Sequence, residues 1–315
     1  MEASGPATVT TGLTSTVARQ YVHRATHSEV LLTAWRPAPN GFTVTAQWPR
    51  VHSFYLTTHG LHDPLLLAET VRQTSCLLAH VTLGVPIDHE VTLTTLTLHL
   101  TPSAMTPGAR PVEPELRVTR LQPLHHGAKL TGATTKINIY RDGIPLATAS
   151  VRLTFTCPAD YDASLPPHPH HPAAHPPEPV HAPLVGRVSP HDVVLAASGT
   201  PGRWALRADP THPVLFDHTV RHLPEALLAE AARQATTALT PPGTPTYPVT
   251  ITTHMTQHAT PTTPCWIEAE PLPTDALDRT RTAITALQNN QPVYHATITL
   301  DHIPTSHRAA AGSRS

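Results

Sequence analysis

The sequence predicts an α+β protein in which one unit is written twice, each copy a central buried helix wrapped by an antiparallel sheet. Three observations carry this reading: strings that recur in the same order in both halves, two helical segments without a polar face, and Thr-, Val- and Ile-rich runs broken by turn residues. At 315 residues the chain is long enough to build two cores of ordinary domain size.

Val22-His23-Arg24 followed by Glu29-Val30-Leu31 is matched by Val185-Gly186-Arg187 followed by Asp192-Val193-Val194. Leu66-Leu67-Ala68-Glu69-Thr70-Val71-Arg72-Gln73 is matched by Leu227-Leu228-Ala229-Glu230-Ala231-Ala232-Arg233-Gln234. Asp142-Gly143-Ile144-Pro145 is matched by Asn289-Asn290-Gln291-Pro292. The shared order predicts an N-terminal repeat over 20–157 and a C-terminal repeat over 184–304. The strings stand closer together in the second copy, which predicts that it has lost about a strand and a turn from its middle. Between the copies, residues 158–183 are rich in Pro and His, including His168, His170, His171, His175 and His181. With almost no large apolar residues this stretch cannot bury a core, and it reads as a semi-extended linker rather than a metal site. Residues 305–315 are expected to form a disordered tail.

The first helix opens at Asp63-Pro64, a capping residue followed by proline in the first turn, and ends before Gly84-Val85-Pro86. The second opens at Pro224 and ends before Pro241-Pro242-Gly243. In helical projection Leu67, Val71 and Leu78 lie on one side of the first helix and Leu65, Leu66 and Cys76 on the other; a helix apolar all round is a buried helix. Strands are expected at His89–Leu100, Glu115–Leu121, Lys129–Tyr140 and Ile144–Phe155, with Asp142-Gly143 and Asn289-Asn290 as tight hairpin turns.

Composition narrows the function classes. Charged residues make up 14% of the chain and the formal net charge is −1, which argues against nucleic acid as a partner. No stretch approaches the roughly 20 apolar residues of a membrane span, and residues 1–20 lack a basic head followed by an apolar run, so a cytoplasmic protein that does not engage the membrane is expected. Cys76, Cys157 and Cys265 are too scattered for a disulfide framework or a zinc site. There is no Gly-rich phosphate loop, no G-x-S-x-G and no H-E-x-x-H, and neither a metal nor a cofactor is implied.

Glu69 is followed by Arg72 and Gln73 on one helical stripe, and Glu230 by Arg233 and Gln234. On an exposed helix such pairs contribute a few tenths of a kcal/mol. Inside a buried helix an ionised carboxylate costs several kcal/mol unless it is paired and hydrogen-bonded, so a pair kept in both copies marks a candidate site. His52 and His218 precede the two helices and are candidates to face the reaction centre, although packing is the commoner role of any single histidine.

Pro224 to Gln234 resembles the start of the central helix in hotdog-fold β-hydroxyacyl-(acyl carrier protein) dehydratases. A fuller match covers nearly all of both halves. Val22-His23-Arg24 with Glu29-Val30, Gln47-Trp48-Pro49-Arg50 with His52-Ser53-Phe54-Tyr55, Asp63-Pro64-Leu65-Leu66 and the two Glu-x-x-Arg-Gln strings together are similar to the A-factor synthase (AfsA) family of actinomycetes. The resemblance implies a tandem (double) hotdog that transfers a β-ketoacyl group from acyl carrier protein to a hydroxyl of dihydroxyacetone phosphate, in the biosynthesis of γ-butyrolactone or butenolide autoregulators. It places the family's functional glutamates and arginine on Glu69, Glu230 and Arg233, with Arg72 in the equivalent place of the first half. Glu225 stands where the hotdog pattern has a glycine whose N–H polarises the thioester carbonyl.

Since paired hotdogs build each site from both units, the expectation is that Glu230 with Arg233 deprotonates or orients the attacking hydroxyl while the acyl chain lies in an apolar tunnel. Glu69 and Arg72 would form a pseudo-equivalent second site or complete the first, and His52, His218, Gln73 and Gln234 would contact substrate. Two other readings stay open: a hotdog dehydratase or thioesterase acting on acyl thioesters, and a non-catalytic acyl-binding regulatory module. A homodimer of the tandem unit is compatible with all of them.

Overall fold

The computed structural model describes residues 15–165 and 176–303. The first half runs β1 (Leu32–Ala38), β2 (Gly41–Ala46), α1 (Pro64–Leu83), β3 (Glu90–Leu100), β4 (Pro114–His126), β5 (Lys129–Arg141) and β6 (Ile144–Thr156), followed by a short helix, α2 (Pro158–Ser164). The second half repeats that order with β7 (Leu195–Ala197), β8 (Arg203–Leu206), α3 (Glu225–Leu239), β9 (Thr246–Met255), β10 (Cys265–Leu272), β11 (Thr280–Gln288) and β12 (Gln291–His302).

All twelve strands join one antiparallel sheet in the order β1-β2-β4-β5-β6-β3-β9-β12-β11-β10-β8-β7. The equivalent strands β3 and β9 pair at its centre, with Leu96 opposite Thr253 and Leu98 opposite Ile251, so the pseudo-two-fold axis passes between them. Pairing there removes the exposed edge that each half would present by itself.

Asp63 caps α1 by accepting the Leu65 N–H at 2.8 Å, Pro64 fills a position where no N–H is needed, and Gly84 at φ +69° ends the helix. Leu66, Leu67, Val71, Leu77 and Leu78 are buried around the whole of α1, as are Leu227, Leu228, Ala231, Ala232 and Ala235 on α3. Truncating any of these leucines to alanine removes about 2–5 kcal/mol. Both expected hairpins are present, with positive φ at Asp142, Gly143, Asn289 and Asn290.

Two expectations are corrected. The second half keeps every strand. Its shortening is spread over trimmed elements: 15 residues in α3 against 20 in α1, 8 in β10 against 13 in β4, and 9 in β11 against 13 in β5. Trimming ends leaves the ladder continuous, whereas deleting a strand would interrupt it. The linker is also shorter than 158–183. α2 occupies its start, and Val180 N–H donates to Leu195 O at 3.0 Å just as Val17 does to Leu32 O, so each repeat begins a few residues earlier than expected. His168, His170, His171, His175 and the tail at 305–315 lie outside the described residues. Among the described residues no helix is long and apolar enough to cross a membrane.

Candidate active site

α1 and α3 each present a glutamate, an arginine and a glutamine from successive turns, and each set closes into a buried cluster. Glu230 is fully buried. Its Oε1 accepts from Arg187 Nε at 2.8 Å, Arg233 Nη2 at 2.6 Å and Gln234 Nε2 at 2.5 Å, and its Oε2 accepts from Arg233 Nε at 2.9 Å. Arg187 Nη2 lies 2.7 Å from Oε2 without the alignment of a hydrogen bond. Glu69 repeats the pattern, with Arg24 Nη2 at 2.8 Å, Arg72 Nη2 at 2.8 Å and Gln73 Nε2 at 2.7 Å on Oε1, and Arg72 Nε at 2.9 Å on Oε2. Burial by itself would push both carboxyls up; the paired guanidiniums overcome it and hold Glu69 and Glu230 at about 2. Each cluster therefore sets two largely buried cations against one buried carboxylate.

The clusters are tied to the loops that cover them. Arg187 Nη1 donates to Phe54 O at 2.6 Å and its guanidinium lies 4.1 Å from the Phe54 ring centroid, while Arg24 Nη1 donates to Val214 O at 3.4 Å. Each arginine thus reaches into the other half. Gln73 donates to Glu29 O and accepts from Leu31 N–H, and Gln234 donates to Asp192 O and accepts from Val194 N–H, so both amides are saturated by protein groups. His52 Nδ1 accepts the N–H groups of Phe54 and Tyr55, both at 3.1 Å, with Nε2 3.5 Å from Glu29 Oε2. His212 does the same for Val214 and Leu215, with Nε2 3.5 Å from Asp192 Oδ1.

The counterpart of His52 is therefore His212, which corrects the expectation for His218. An imidazole whose Nδ1 accepts carries its hydrogen on Nε2, which in each ring lies 3.5 Å from a carboxylate oxygen, and through Nδ1 both rings pin loops. His218 is half-exposed beside Asp217, whose carboxylate holds the N–H groups of Ala25 and Thr26. Glu230, expected to take a proton from a bound hydroxyl, is fully engaged by protein donors in this structure. Its oxygens are filled by donors and kept ionised, and the bonds they accept hold Arg187 and Arg233 in place.

The two clusters differ in what surrounds them. Beside Glu69 and Arg72 lies a cavity of only about 50 Å³, walled by Leu93, Leu96, Ile251 and Tyr294. Every Arg72 nitrogen is engaged: Nε and Nη2 with Glu69, Nη2 also with Val22 O, and Nη1 with Cys76 Sγ at 3.6 Å. His23 fills the space next to it, its Nε2 2.8 Å from His80 Nε2. Burial, Arg72 and His80 push the His23 imidazole down to about 3, which keeps it neutral. Burial and the neighbouring Glu225 carboxylate, opposed by Arg72, raise Glu90 to about 7. Glu225 itself turns to the Leu93 N–H.

Arg233 opens instead onto a cleft of about 810 Å³ lined by Asp63, Gly186, Thr237, Tyr247, Ile298 and Leu300 among others. Its Nη1 has no acceptor among the described residues. Gly186, at φ +69°, leaves the space that His23 fills in the first half; a Cβ there would come within 3.3 Å of Thr237 Cγ2 and 3.6 Å of Arg233 Nη1. Substrate pockets commonly measure about 300–1,000 Å³, which the second cleft meets and the first does not.

The A-factor biosynthesis hotdog domain family (AfsA) matches residues 7–157 and 169–304. The chain belongs to this family. Over 288 residues it is 38% identical to a 2-oxo-3-(phosphooxy)propyl 3-oxoalkanoate synthase of Streptomyces virginiae, covering 91% of this chain and 98% of that one. A protein of the same name from Streptomyces coelicolor is 34% identical over 291 residues, covering 88% and 89%. Among solved structures, an oleoyl thioesterase of Lactobacillus plantarum superposes with a TM-score of 0.53 at 15% identity, covering 83% of this chain and 97% of that one. The 12:0-ACP thioesterase of Umbellularia californica gives 0.51 at 9%, covering 83% and 94%. These likenesses establish the tandem hotdog fold and no more.

Within this AfsA chain, Arg24, Arg187, Asp63 and His212 were not expected in the site. The arginines carried a usable signal, since Val-x-Arg recurs in both copies as faithfully as Glu-x-x-Arg-Gln. His212 was hidden because Pro210 precedes it by two residues, whereas Pro49 precedes His52 by three.

Proposed function

We propose that the protein is an acyltransferase that esterifies a hydroxyl of dihydroxyacetone phosphate with a 3-oxoacyl group delivered by acyl carrier protein, in γ-butyrolactone or butenolide autoregulator biosynthesis. One observation carries the choice of site: the unengaged Nη1 of Arg233 beside Gly186, inside a cleft large enough for both substrates. The name of the Streptomyces relatives joins a phosphooxypropyl unit to a 3-oxoalkanoate, which is the ester this reaction would form. We place the reaction in the cytoplasm, where carrier-protein thioesters are made.

A planar guanidinium with a free edge suits a phosphate or a developing oxyanion better than an ammonium would. Glu230 and Arg187 lock Arg233 so that little is lost in orienting it when substrate arrives. On the cleft wall the hydroxyls of Thr236, Thr237 and Thr240 donate to the carbonyls of Ala232, Arg233 and Thr236, which leaves their oxygens to accept from a bound hydroxyl, and Tyr247, Ile298 and Leu300 offer apolar surface to the acyl chain. At the first cluster the carboxylates of Glu90 and Glu225 stand near Arg72 and would repel a phosphate. Glu69 and Arg72 are accordingly assigned a structural part, mirroring and bracing the functional cluster.

The test is incubation with a 3-oxoacyl carrier protein with and without dihydroxyacetone phosphate, followed by mass spectrometry. The expected result is a phosphorylated ester and free carrier thiol only when the acceptor is present. Free acid or an enoyl thioester as the sole product would overturn the reading in favour of hydrolysis or dehydration.

A further inference from the structure

We propose that Asp63 is the general base of this acyl transfer, receiving the proton of the acceptor hydroxyl inside the Arg233 cleft. The inference rests on the acyl-transfer reading above and adds a residue from the opposite half of the chain. Asp63 belongs to the first repeat, yet it lines the cleft of the second. Its Oδ1 accepts the Leu65 N–H at 2.8 Å, and its other oxygen has no hydrogen-bond partner among the described residues, although the residue is only 5% exposed. In a residue that lines the cleft, a carboxylate oxygen without a protein donor is available to a ligand that brings one. An alcohol bound in the cleft would bring that donor.

The groups that face Asp63 are Arg233, Arg187 and Glu230 from the second half, with Tyr247 and Tyr55 alongside. Burial outweighs the two guanidiniums and raises the Asp63 carboxyl above its ordinary value, whereas the same guanidiniums hold Glu230 far below its own. A base nearer the working pH transfers protons more effectively, so Asp63 is the better matched of the two. The first site has no equivalent. Pro224 stands at the N-cap of α3 and offers no capping side chain, and Glu225, the first residue of the helix, is drawn to the Leu93 N–H.

In the step proposed, the acceptor oxygen attacks the thioester carbonyl carbon as its proton passes to Asp63, forming the C–O bond. Collapse of the tetrahedral adduct breaks the C–S bond, and the departing sulfur takes the proton back from Asp63. The products are the ester and the free carrier thiol, and the carboxylate is restored.

Asp63→Asn and Asp63→Ser both keep an N-cap oxygen for Leu65 and remove the base. The expected result for each is a kcat lower by on the order of 10²–10⁴-fold, little change in KM for the acceptor, and melting close to that of the parent protein. In the parent, kcat falls as the pH drops through the raised Asp63 value, and both variants lose that acid limb. Retention of kcat within about threefold with the acid limb intact would overturn the assignment. The two failures are distinguishable: if the acyl-transfer reading itself is wrong, the parent protein forms no ester, whereas an error confined to Asp63 leaves ester formation at full rate in the variants.

Discussion

His23 and Gly186 occupy equivalent positions in the two repeats, and one carries a side chain where the other carries none. Each ends a 3-10 turn with left-handed backbone, φ +50° at His23 and +69° at Gly186. Since a histidine already holds that conformation in the first half, glycine at 186 contributes space more than backbone freedom. The space is what separates an arginine that is walled in from one that opens onto a cleft.

Gly186→His is therefore expected to close the cleft while leaving the fold intact. Acyl transfer should fall by about 100-fold or more in kcat/KM, because the imidazole would occupy the space beside Arg233 Nη1, while the left-handed backbone and the 3.3 Å approach to Thr237 Cγ2 cost about 1–3 kcal/mol of stability, a modest drop in melting temperature. Adding His23→Gly should not restore activity, since Glu90 and Glu225 still crowd Arg72. Recovery of turnover in the double variant would mean that the first cluster can serve as a site.

Arg233→Lys keeps the charge and loses the fork. A lysine cannot bond both Glu230 oxygens and also present an edge to phosphate. The expected outcome is a KM for dihydroxyacetone phosphate raised by about tenfold or more, read from steady-state kinetics with acyl carrier protein in excess.

Glu230→Gln removes the one carboxylate that holds Arg187 and Arg233 together at the centre of the protein. Two buried guanidiniums would then face each other without an anion, and about 3–5 kcal/mol of stability should be lost. Denaturant unfolding would measure this, and inorganic phosphate should recover part of the loss by binding the freed arginines.

Acid should destabilise the fold in two stages. Burial first, together with neighbouring cations, depresses His23 to about 3 and His62 to about 4, and burial and His258, against Glu225, depress His222 to about 4. Their folded values lie below the unfolded value near 6.5, so the unfolded chain binds more protons between the two. Their contribution is complete above about pH 6.5 and declines as the pH falls toward 3–4. Glu90, raised to about 7, acts oppositely and removes stability as the pH rises from about 4.5 to 7. Below about pH 4.5 the depressed Glu69 and Glu230 add a second, steeper loss. Melting temperature measured from pH 3 to 8 should show a flattened upper stage in His62→Gln and His222→Gln.

The helices were legible because leucines and alanines cover α1 and α3 on every side, and against that background a Glu-x-x-Arg-Gln stripe is conspicuous. The strands were legible where a hairpin turn such as Asp142-Gly143 separates them. What the chain order concealed depends on contacts between the halves. Arg24 and Arg187 meet their glutamates from turns 45 and 43 residues away, and Asp63 shows locally as a helix cap while facing the partner repeat. His218 was mistaken for the equivalent of His52 because a one-residue change in loop spacing moves the match to His212. The Val-His-Arg and Val-Gly-Arg strings were visible side by side, but only packing shows that the difference between them is a volume.

The central pairing of β3 with β9 joins two hotdog units that lie on one polypeptide, and this changes what substitution can do. In a homodimer of a single hotdog, every residue appears at both sites, so opening one pocket opens the other and a helix cap cannot become a base at one site alone. Covalent duplication frees the two copies from that identity. In the reading proposed above, one copy serves as a brace while the other, with its cleft of about 810 Å³, holds the substrate.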